Sequence, residues 1–598
     1  MAKVEKSFVF KAAFLLMIVQ VLSRVLGYAR DVVLMNMFGQ SYMTDAFNVA
    51  FTIPDFIYNV LIGGAIASAF IPVFSSYLAT DQPKRAWRTS SIFSTWSLTI
   101  MVVLVALAFV FTYPLLGLLT SYDHEAMRLP VILTRITLIQ ALFMALSAIA
   151  TGILQSYQHF TWPAIGTLLY NAFILLFGIV LVKPIENIWP GYGIAGFSVG
   201  VVIGALATLV VQIPTLIKVG FNYKPCFDTK DEGLRKMVRL LIPVLIGLSV
   251  SQINVLVTQY LATGLDDGIY TALRTANRFM QLPLGLFAVS ICTAIFPTMT
   301  AQAAQGEYEE LKKSMSLALR TSLFIILPAA VGMIVLREPI IRLLFEFSGR
   351  FTSYDTFICG QALFWYCLGL PGYSATFSLI RVFYALQDTK TPIIVSVIAI
   401  VLNAVLSFIL VHPLQHIGLA LAYSISGWSQ CALLAWALRR RLGDLHGRHI
   451  LASLGRTLLA ALAMGAVVWG VARLCSSTLG VADKMSQLLQ VGGSIAVGVL
   501  VFAALAWLMK MEEIHIVLDI FGRRLRRRRL KQKDPAAGEQ AAEEVTAEEA
   551  ATPAEQVTAE AEAAAEEAEA AAEDAEDAPD ATTEAEPDPA EISAEEKE

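Results

Sequence analysis

Long apolar segments, separated by short charged or Pro/Gly-rich breaks, follow one another from residue 8 to residue 510 of this 598-residue chain. A helix needs about 20 mostly apolar residues to cross a bilayer, so these segments predict membrane-spanning helices. Hydrophobic residues make up 56% of the sequence and charged residues only 16%, too apolar for a soluble globular protein of this length. Fourteen segments are counted: 8–37, 44–77, 90–118, 128–156, 160–182, 191–217, 236–264, 269–303, 310–336, 354–386, 391–411, 416–438, 451–474 and 485–510. The sequence predicts an all-α polytopic membrane protein.

Lysine and arginine residues concentrate in alternate loops between the predicted spans. Loops assigned to the inner side include 218–239 and 439–448, which are rich in both residues, whereas the outer loops hold far fewer. With an even number of spans, this asymmetry predicts that both termini lie on the cytoplasmic side of the membrane. The first segment follows Lys3 and Lys6 without an evident cleavage site, which indicates a retained signal-anchor helix.

Weak internal repeats indicate a duplication. "AIASAFIP" (Ala65 to Pro72) recurs as "SICTAIFP" (Ser290 to Pro297), and further pairs follow in the same order at similar spacing. A unit of this length holds six spans, so two copies point the same way through the membrane. The predicted architecture is therefore two parallel six-helix lobes followed by two further helices. The predicted limits are 1–220 and 221–440 for the lobes and 441–510 for helices 13 and 14.

The C-terminal end differs sharply in composition from the predicted membrane body. Residues 511–533 have apolar residues at helical spacing and the basic run "RRLRRRR", which predicts an interfacial helix on the inner leaflet. Residues 534–598 hold 24 acidic residues against the single Lys597, and this Ala/Glu/Pro-rich tail is predicted to be disordered. The overall net charge of −5 thus leaves +18 on residues 1–533. A basic membrane body suits anionic lipid, and no nucleic acid is expected as a partner.

Several ionisable residues lie inside the predicted spans, where an arginine costs about 2.5 to 3.5 kcal/mol at the centre of a lipid-facing helix. Such residues usually face a partner or a water-filled cavity. They are Arg24, Arg30, Asp31, Asp45, Asp55, Arg135, Arg274, Arg278, Arg381 and Asp388.

Two arginine pairs among them are candidates for binding an anion. Arg274 and Arg278 are four residues apart and share a helix face, whereas Arg30 lies roughly 120° from Arg24. A bend at Gly27 would bring Arg24 and Arg30 to one cavity. A guanidinium stays charged and offers two parallel donors to phosphate oxygens, so converging arginines predict a phosphate or pyrophosphate site. The alternative is that each arginine snorkels to an interface or pairs with a carboxylate.

Other polar residues carry less functional signal. The six cysteines are scattered singly, and no His, Cys or acidic cluster has metal-ligand spacing, so neither a metal nor a cofactor is predicted. His412 and His416 are predicted to be solvated at an outer loop. Asn171 and Asn403 lie in apolar helices, where an asparagine most often links helices.

Several motifs together resemble the MurJ (MviN) family of lipid II flippases, within the multidrug, oligosaccharidyl-lipid and polysaccharide exporter superfamily. The motifs are "SRVLGYARD", "TDAFNVAF", "IPDFIYNVLIGGAIASAFIPVF", "LQSYQHFTWPAIGTLLYN", "NRFMQLPLGLFAVSICTAIFP" and "RVFYALQDTKTP". The resemblance covers about residues 5–510. It implies a monomeric fourteen-helix transporter of the bacterial inner membrane. Such a transporter moves a lipid-linked disaccharide-peptide from the cytoplasmic to the outer leaflet by alternating access, for cell wall synthesis.

The resemblance also implies site residues. Arg24, Arg30 and Arg278 would bind the pyrophosphate, Asp45 would contribute as an acidic residue, and helices 13 and 14 would form a groove for the lipid tail. On the residues themselves, we expect Asp31 to orient the arginines and Arg274 to join them. Tyr58 and Asn59 stand where many members have a basic pair, and Arg274 is the candidate substitute for a missing arginine. Asn277 stands where an acidic residue is common.

Coupling and two rival functions stay open. Some members use carboxylates for a sodium site, but the nearest positions here, Thr258, Asn403 and Ser407, are neutral. Coupling to the membrane potential or to a monovalent cation is left open. One rival is a flippase for another undecaprenyl-linked glycan or a drug/cation antiporter, although an antiporter would favour carboxylates over surplus arginines. The other is a membrane enzyme such as a polyprenyl-phosphate transferase, whose acidic metal cluster or nucleophile–base pair is missing, so no catalytic residue is expected.

Overall fold

The computed structural model describes residues 6–514 apart from 60–63, 65, 348, 479 and 481–482, and describes no side chains at 6–17, 67, 243 and 246–251. This part of the chain is helical, so the predicted all-α class is confirmed. Residues 515–598, which include most of the predicted interfacial helix and the whole acidic tail, lie outside the described residues.

The helices of the described part follow the predicted segments closely. They are α1 (Lys6–Phe38), α2 (Tyr42–Val49), α3 (Thr52–Tyr58), α4 (Ile71–Ala79), α5 (Pro83–Val110), α6 (Thr112–Leu119), α7 (Arg128–Ser156), α8 (Thr161–Ile188), α9 (Ala195–Val210), α10 (Ile213–Lys218), α11 (Glu232–Ala262), α12 (Ile269–Pro283), α13 (Val289–Ala304), α14 (Tyr308–Val335), α15 (Arg337–Phe345), α16 (Ser353–Ala385), α17 (Lys390–Leu442), α18 (Gly447–Thr478) and α19 (Lys484–Leu508). Two π-helical turns, Ile66–Phe70 and Leu284–Ala288, precede α4 and α13. Helix α7 has the predicted bounds.

Two predicted spans contain more than one helical element. The span predicted at 44–77 holds α2, α3, a π-turn and α4, and the span predicted at 269–303 becomes α12, a π-turn and α13. The π-turn of the second span follows Pro283, which lacks the N–H that would continue the α-helical hydrogen-bond ladder, and the backbone stays helical from α12 into α13. A π-turn of this kind is a common place for a membrane helix to kink.

Helix α17 is a hairpin rather than one long rod. Its 53 residues would extend about 80 Å as a straight helix, far beyond the thickness of a bilayer. The backbone leaves helical geometry at Gln415 (φ 48°, ψ −130°), just after Pro413. Across the turn, Ser426 Oγ donates to the Ala399 carbonyl at 2.6 Å. The two arms correspond to the segments predicted at 391–411 and 416–438.

Among the described residues, nine helical segments are long and apolar enough to cross a membrane: α5, α7, α8, α9 with α10, α12 with α13, α14, α17, α18 and α19. Large apolar side chains such as Val110, Leu459, Leu500 and Leu508 are more than 60% exposed, as residues that face lipid would be. The chain is therefore a multi-pass membrane protein, while the count of fourteen stays a prediction.

The described residues up to Ile514 form one compact unit. Within it, α1 packs on α8, α7 and α8 pack on α9, α16 packs on α12, α14 and α17, and α18 pairs with α19 beside α14. Contacts between α2 and α12 link the earlier helices to the later ones. The predicted lobe limits at residues 220 and 440 stay predictions.

Candidate substrate site

A cavity of about 470 Å³ lies between α1, α8, α12 and the π-turn after α12. We call it the arginine cavity, because Arg24, Arg30 and Arg278 all line it. Its remaining lining residues are Gln20, Ser23, Gly27, Tyr28, Asn171, Gln281, Leu282, Leu284, Gly285, Val289 and Phe377. Three of the four predicted arginines therefore meet at one place, although they come from two helices more than 240 residues apart in sequence.

Asp31 ties two of these arginines together. Its Oδ1 accepts hydrogen bonds from Arg30 Nε at 3.0 Å and Nη2 at 2.8 Å, and its Oδ2 forms an ion pair with Arg278 Nη1. In the described part of the chain Arg24 has no ion pair, and its guanidinium lies beside Gly285. Three guanidiniums against one carboxylate leave a net charge of +2 at the cavity.

Helix α1 is held in place by contacts with α8 and α12. Ser23 Oγ donates to the Thr167 carbonyl at 3.0 Å, and Asn171 Nδ2 donates to Ser23 Oγ at 3.1 Å. On the other side, the Tyr28 ring lies 5.6 Å from the Phe279 ring. The expected bend at Gly27 is not needed: α1 is one helix, and the long arginine side chains reach the cavity from different sides of it. Asn171 links helices, as predicted.

A second cavity of about 370 Å³ adjoins the first, since Arg278 and Gln281 line both. We call it the Asp55–Arg274 cavity, after its two other charged residues. Its other lining residues are Phe51, Thr52, Asn59, Gln252, Asn254, Val255, Thr258, Tyr270, Leu273, Asn277, Tyr366 and Tyr423. Arg274 thus lies beside the arginine cavity rather than in it, with Nη1 donating to the Asn48 carbonyl at 2.9 Å. Asn59 also lines this second cavity, and it is one of the two positions at which many family members have a basic residue.

Asp45 lies outside both cavities. Its side chain is buried, and its two oxygens accept from the N–H groups of Gly268 at 2.8 Å and Thr271 at 2.7 Å. Both groups belong to the start of α12, where a carboxylate favours the positive end of the helix. Gly268 has φ +85°, and a Cβ there would lie 2.5 Å from the Gln40 carbonyl, so this close approach requires glycine. The structure places Asp45 as a cap on the arginine-bearing helix, away from the cavity in which a substrate ligand was expected.

The structure also locates the two histidines and the neutral residues that were considered for a cation site. His416 is buried, so the prediction that it is solvated is wrong; the α17 turn tucks it against protein, whereas His412 is exposed. Thr258 lines the Asp55–Arg274 cavity, but Asn403 and Ser407 lie buried on α17 and line neither cavity. No group of three or more His, Cys, Asp or Glu residues able to hold a metal occurs in the described ranges. All six cysteines are free.

Sequence reasoning missed the neutral residues that complete the cavities. Gln20, Tyr28 and Gln281 line the arginine cavity, and Tyr270, Tyr366 and Tyr423 line its neighbour. The available signal was weak, because amide and phenol groups inside an apolar helix more often link helices than bind a ligand.

Comparison with known proteins places the chain in a family. The family model described as "Lipid II flippase MurJ" matches residues 34–489. A probable lipid II flippase MurJ of Vibrio cholerae is 31% identical over 480 residues, covering 77% of this chain and 88% of that protein.

Solved structures agree. A structure titled "Lipid II flippase MurJ, inward closed conformation" has 30% identity and a TM-score of 0.69, covering 83% of this chain and 98% of that one. An inward-facing multidrug transporter of the MATE family has 16% identity and a TM-score of 0.58, covering 71% and 96%, a likeness of fold alone. The chain therefore belongs to the MurJ family of lipid II flippases.

Proposed function

We propose that this protein moves lipid II, a lipid-linked disaccharide-peptide, from the cytoplasmic to the outer leaflet of the bacterial inner membrane, with its pyrophosphate bound in the arginine cavity. The observation that carries the proposal is the convergence of Arg24, Arg30 and Arg278 on one cavity. Membership of the MurJ family supports the choice of substrate.

The charge balance at the cavity favours an anionic ligand. Asp31 offsets one of the three guanidiniums, and the net charge of +2 complements the two negative charges of a pyrophosphate diester. Burying unpaired positive charge is costly, so a bound anion stabilises this arrangement. A transporter of lipophilic cations would have the opposite balance.

Asp31 acts as a positioning residue in this proposal. By holding Arg30 and Arg278 with one carboxylate, it fixes two guanidiniums that come from different helices and reduces their mutual repulsion. Arg24, which forms no ion pair within the described residues, then supplies the third contact. Phosphate oxygens compete with Asp31 for the same donors, which keeps binding reversible.

Transport requires the cavity to open to each side of the membrane in turn. We propose that the helices flanking the site rock around it while the lipid tail stays in the bilayer or against α18 and α19. The π-turn after Pro283 would be the hinge, because prolines and π-turns are where helices kink and this one follows Arg278 in the same segment. We further propose cytoplasmic termini and a monomeric transporter without a bound cofactor, with the membrane potential or a monovalent cation as the driving force.

The proposal is tested by depleting the endogenous flippase and complementing with Arg24→Ala, Arg30→Ala or Arg278→Ala while lipid II export is measured. We expect each variant to lose export and growth. Arg135→Ala is the matched control, since Arg135 is a membrane arginine that stacks on Phe109 and lines neither cavity. Normal export by all three variants would refute the pyrophosphate site. Transport of lipophilic cations but not lipid II by the reconstituted protein would refute the function.

A further inference from the structure

We propose that the Asp55–Arg274 cavity binds a zwitterionic, peptide-like group, with Asp55 taking an ammonium and Arg274 a carboxylate, as the second half of a ligand whose pyrophosphate lies in the arginine cavity. This inference rests on the proposed function, and it assigns the part of the substrate that the arginines leave unexplained.

Asp55 is a carboxylate inside the membrane body that makes no direct contact with a cation. It lies on α3 and lines the cavity, and Arg274 and Arg30 attract it from a distance, but among the residues that the structure describes its side chain has neither a hydrogen bond nor an ion pair. A carboxylate within a membrane protein is normally paired or functional. Asp45 and Asp31, by contrast, have both oxygens engaged. Asp55 is therefore free to receive a cationic donor from a ligand.

Arg274 supplies the opposite charge in the same cavity. Within the described ranges it forms no ion pair with Asp55; Nη1 donates to the Asn48 carbonyl, and the guanidinium also donates to the Tyr270 hydroxyl. The remaining guanidinium donors are left for a ligand, and a carboxylate fits their planar geometry. Two opposite charges that share a cavity without pairing are suited to a ligand that carries both signs.

The rest of the lining suits a peptide. Asn59, Gln252 and Asn277 offer amides that can donate to and accept from peptide groups, and the tyrosines offer apolar faces with a hydroxyl. A volume of about 370 Å³ is within the range of small-molecule sites. It is far larger than a bare monovalent cation needs, and Arg274 would repel such an ion. These observations favour an amino-acid or peptide group over a coupling cation.

The two cavities adjoin at shared residues. Arg278 and Gln281 line both, and Gln281 Nε2 donates to Asn277 Oδ1 at 2.5 Å at the junction. A ligand with its pyrophosphate against Arg278 therefore has the Asp55–Arg274 cavity directly beside it.

The experiment measures binding of three ligands to the full-length protein in nanodiscs. They are a polyprenyl-pyrophosphoryl disaccharide carrying a peptide with a free side-chain amine, the same lipid with that amine acetylated, and the same lipid without the peptide. We expect acetylation to weaken wild-type binding about tenfold, as loss of a charged hydrogen bond would. Asp55→Asn should weaken binding of the free-amine ligand by a similar factor and make it insensitive to acetylation.

The control variants separate this inference from the proposed function. Arg274→Gln should weaken binding of both peptide-bearing ligands, while Arg24→Gln should weaken all three ligands equally. Unchanged affinity of Asp55→Asn for the peptide-free lipid shows that this variant is folded. If Asp55→Asn weakens all three ligands alike, or if acetylation has no effect and sodium competes instead, the inference is overturned while the proposed function stands. If the wild type binds none of the ligands, the proposed function itself fails.

Discussion

Replacing Asp31 by asparagine is expected to make the protein bind lipid pyrophosphate more tightly while transporting it more slowly. Asp31 accepts both hydrogen bonds from Arg30 and pairs with Arg278, and its side chain is only 15% exposed. The variant raises the net charge of the arginine cavity from +2 to +3. Two guanidiniums then lack a counter-charge until an anion arrives.

The magnitude follows from the burial of the three groups. Breaking a buried ion pair costs about 3–5 kcal/mol. Arg278 is 36% exposed and asparagine keeps one carbonyl acceptor, so we expect a smaller loss of about 2 kcal/mol in the free energy of unfolding. A bound pyrophosphate restores the missing counter-charge. Binding should therefore recover the ~2 kcal/mol that the free variant loses in stability, which raises its affinity for the pyrophosphate about 30-fold.

The assay combines thermal unfolding with binding and flux. Purified Asp31→Asn should have a lower Tm than the wild type without ligand and recover most of the difference with polyprenyl pyrophosphate. Its turnover in liposomes should fall, because slower release of the head group limits the cycle. Asp31→Glu keeps the charge and should resemble the wild type more closely. Weaker binding by Asp31→Asn together with an unchanged Tm would refute the reasoning.

Three further predictions concern the supports of the site and its accessibility. Asp45→Asn should destabilise the protein by about 1–3 kcal/mol, because a buried N–H of the first turn of α12 loses its acceptor. Thermal unfolding measures this loss. Unchanged lipid binding by the folded variant would show that Asp45 caps α12 and does not contact the ligand. Gly418→Ala should prevent closure of the α17 hairpin, since the added Cβ would lie 2.3 Å from a carbonyl of the other arm. Gly455→Ala is its control, with nothing within 4 Å, and equal folded yields of the two variants would contradict the hairpin. Arg24→Cys should react with a membrane-impermeant thiol reagent from either side of the membrane, whereas labelling from one side only would contradict alternating access.

The sequence by itself determined the helical class and most element limits. A membrane span needs a long apolar run, and such runs end at local breaks, so α7 begins and ends where hydropathy predicts. It also identified the charged residues inside the spans, because their cost in lipid makes them conspicuous. The motif-bearing stretch of α1 gave Arg24, Arg30 and Asp31 without any knowledge of the fold.

Only the tertiary structure decided what each charge contacts. Asp31 and Asp45 are both acidic residues inside predicted spans, yet one bridges two arginines and the other caps α12. Arg274 and Arg278 share a helix face, yet only Arg278 lines the arginine cavity. The rotation of each helix about its axis is set by packing against its neighbours, and hydropathy carries little information about that rotation. Partners 200 or more residues apart in the chain are therefore fixed by how the helices pack together.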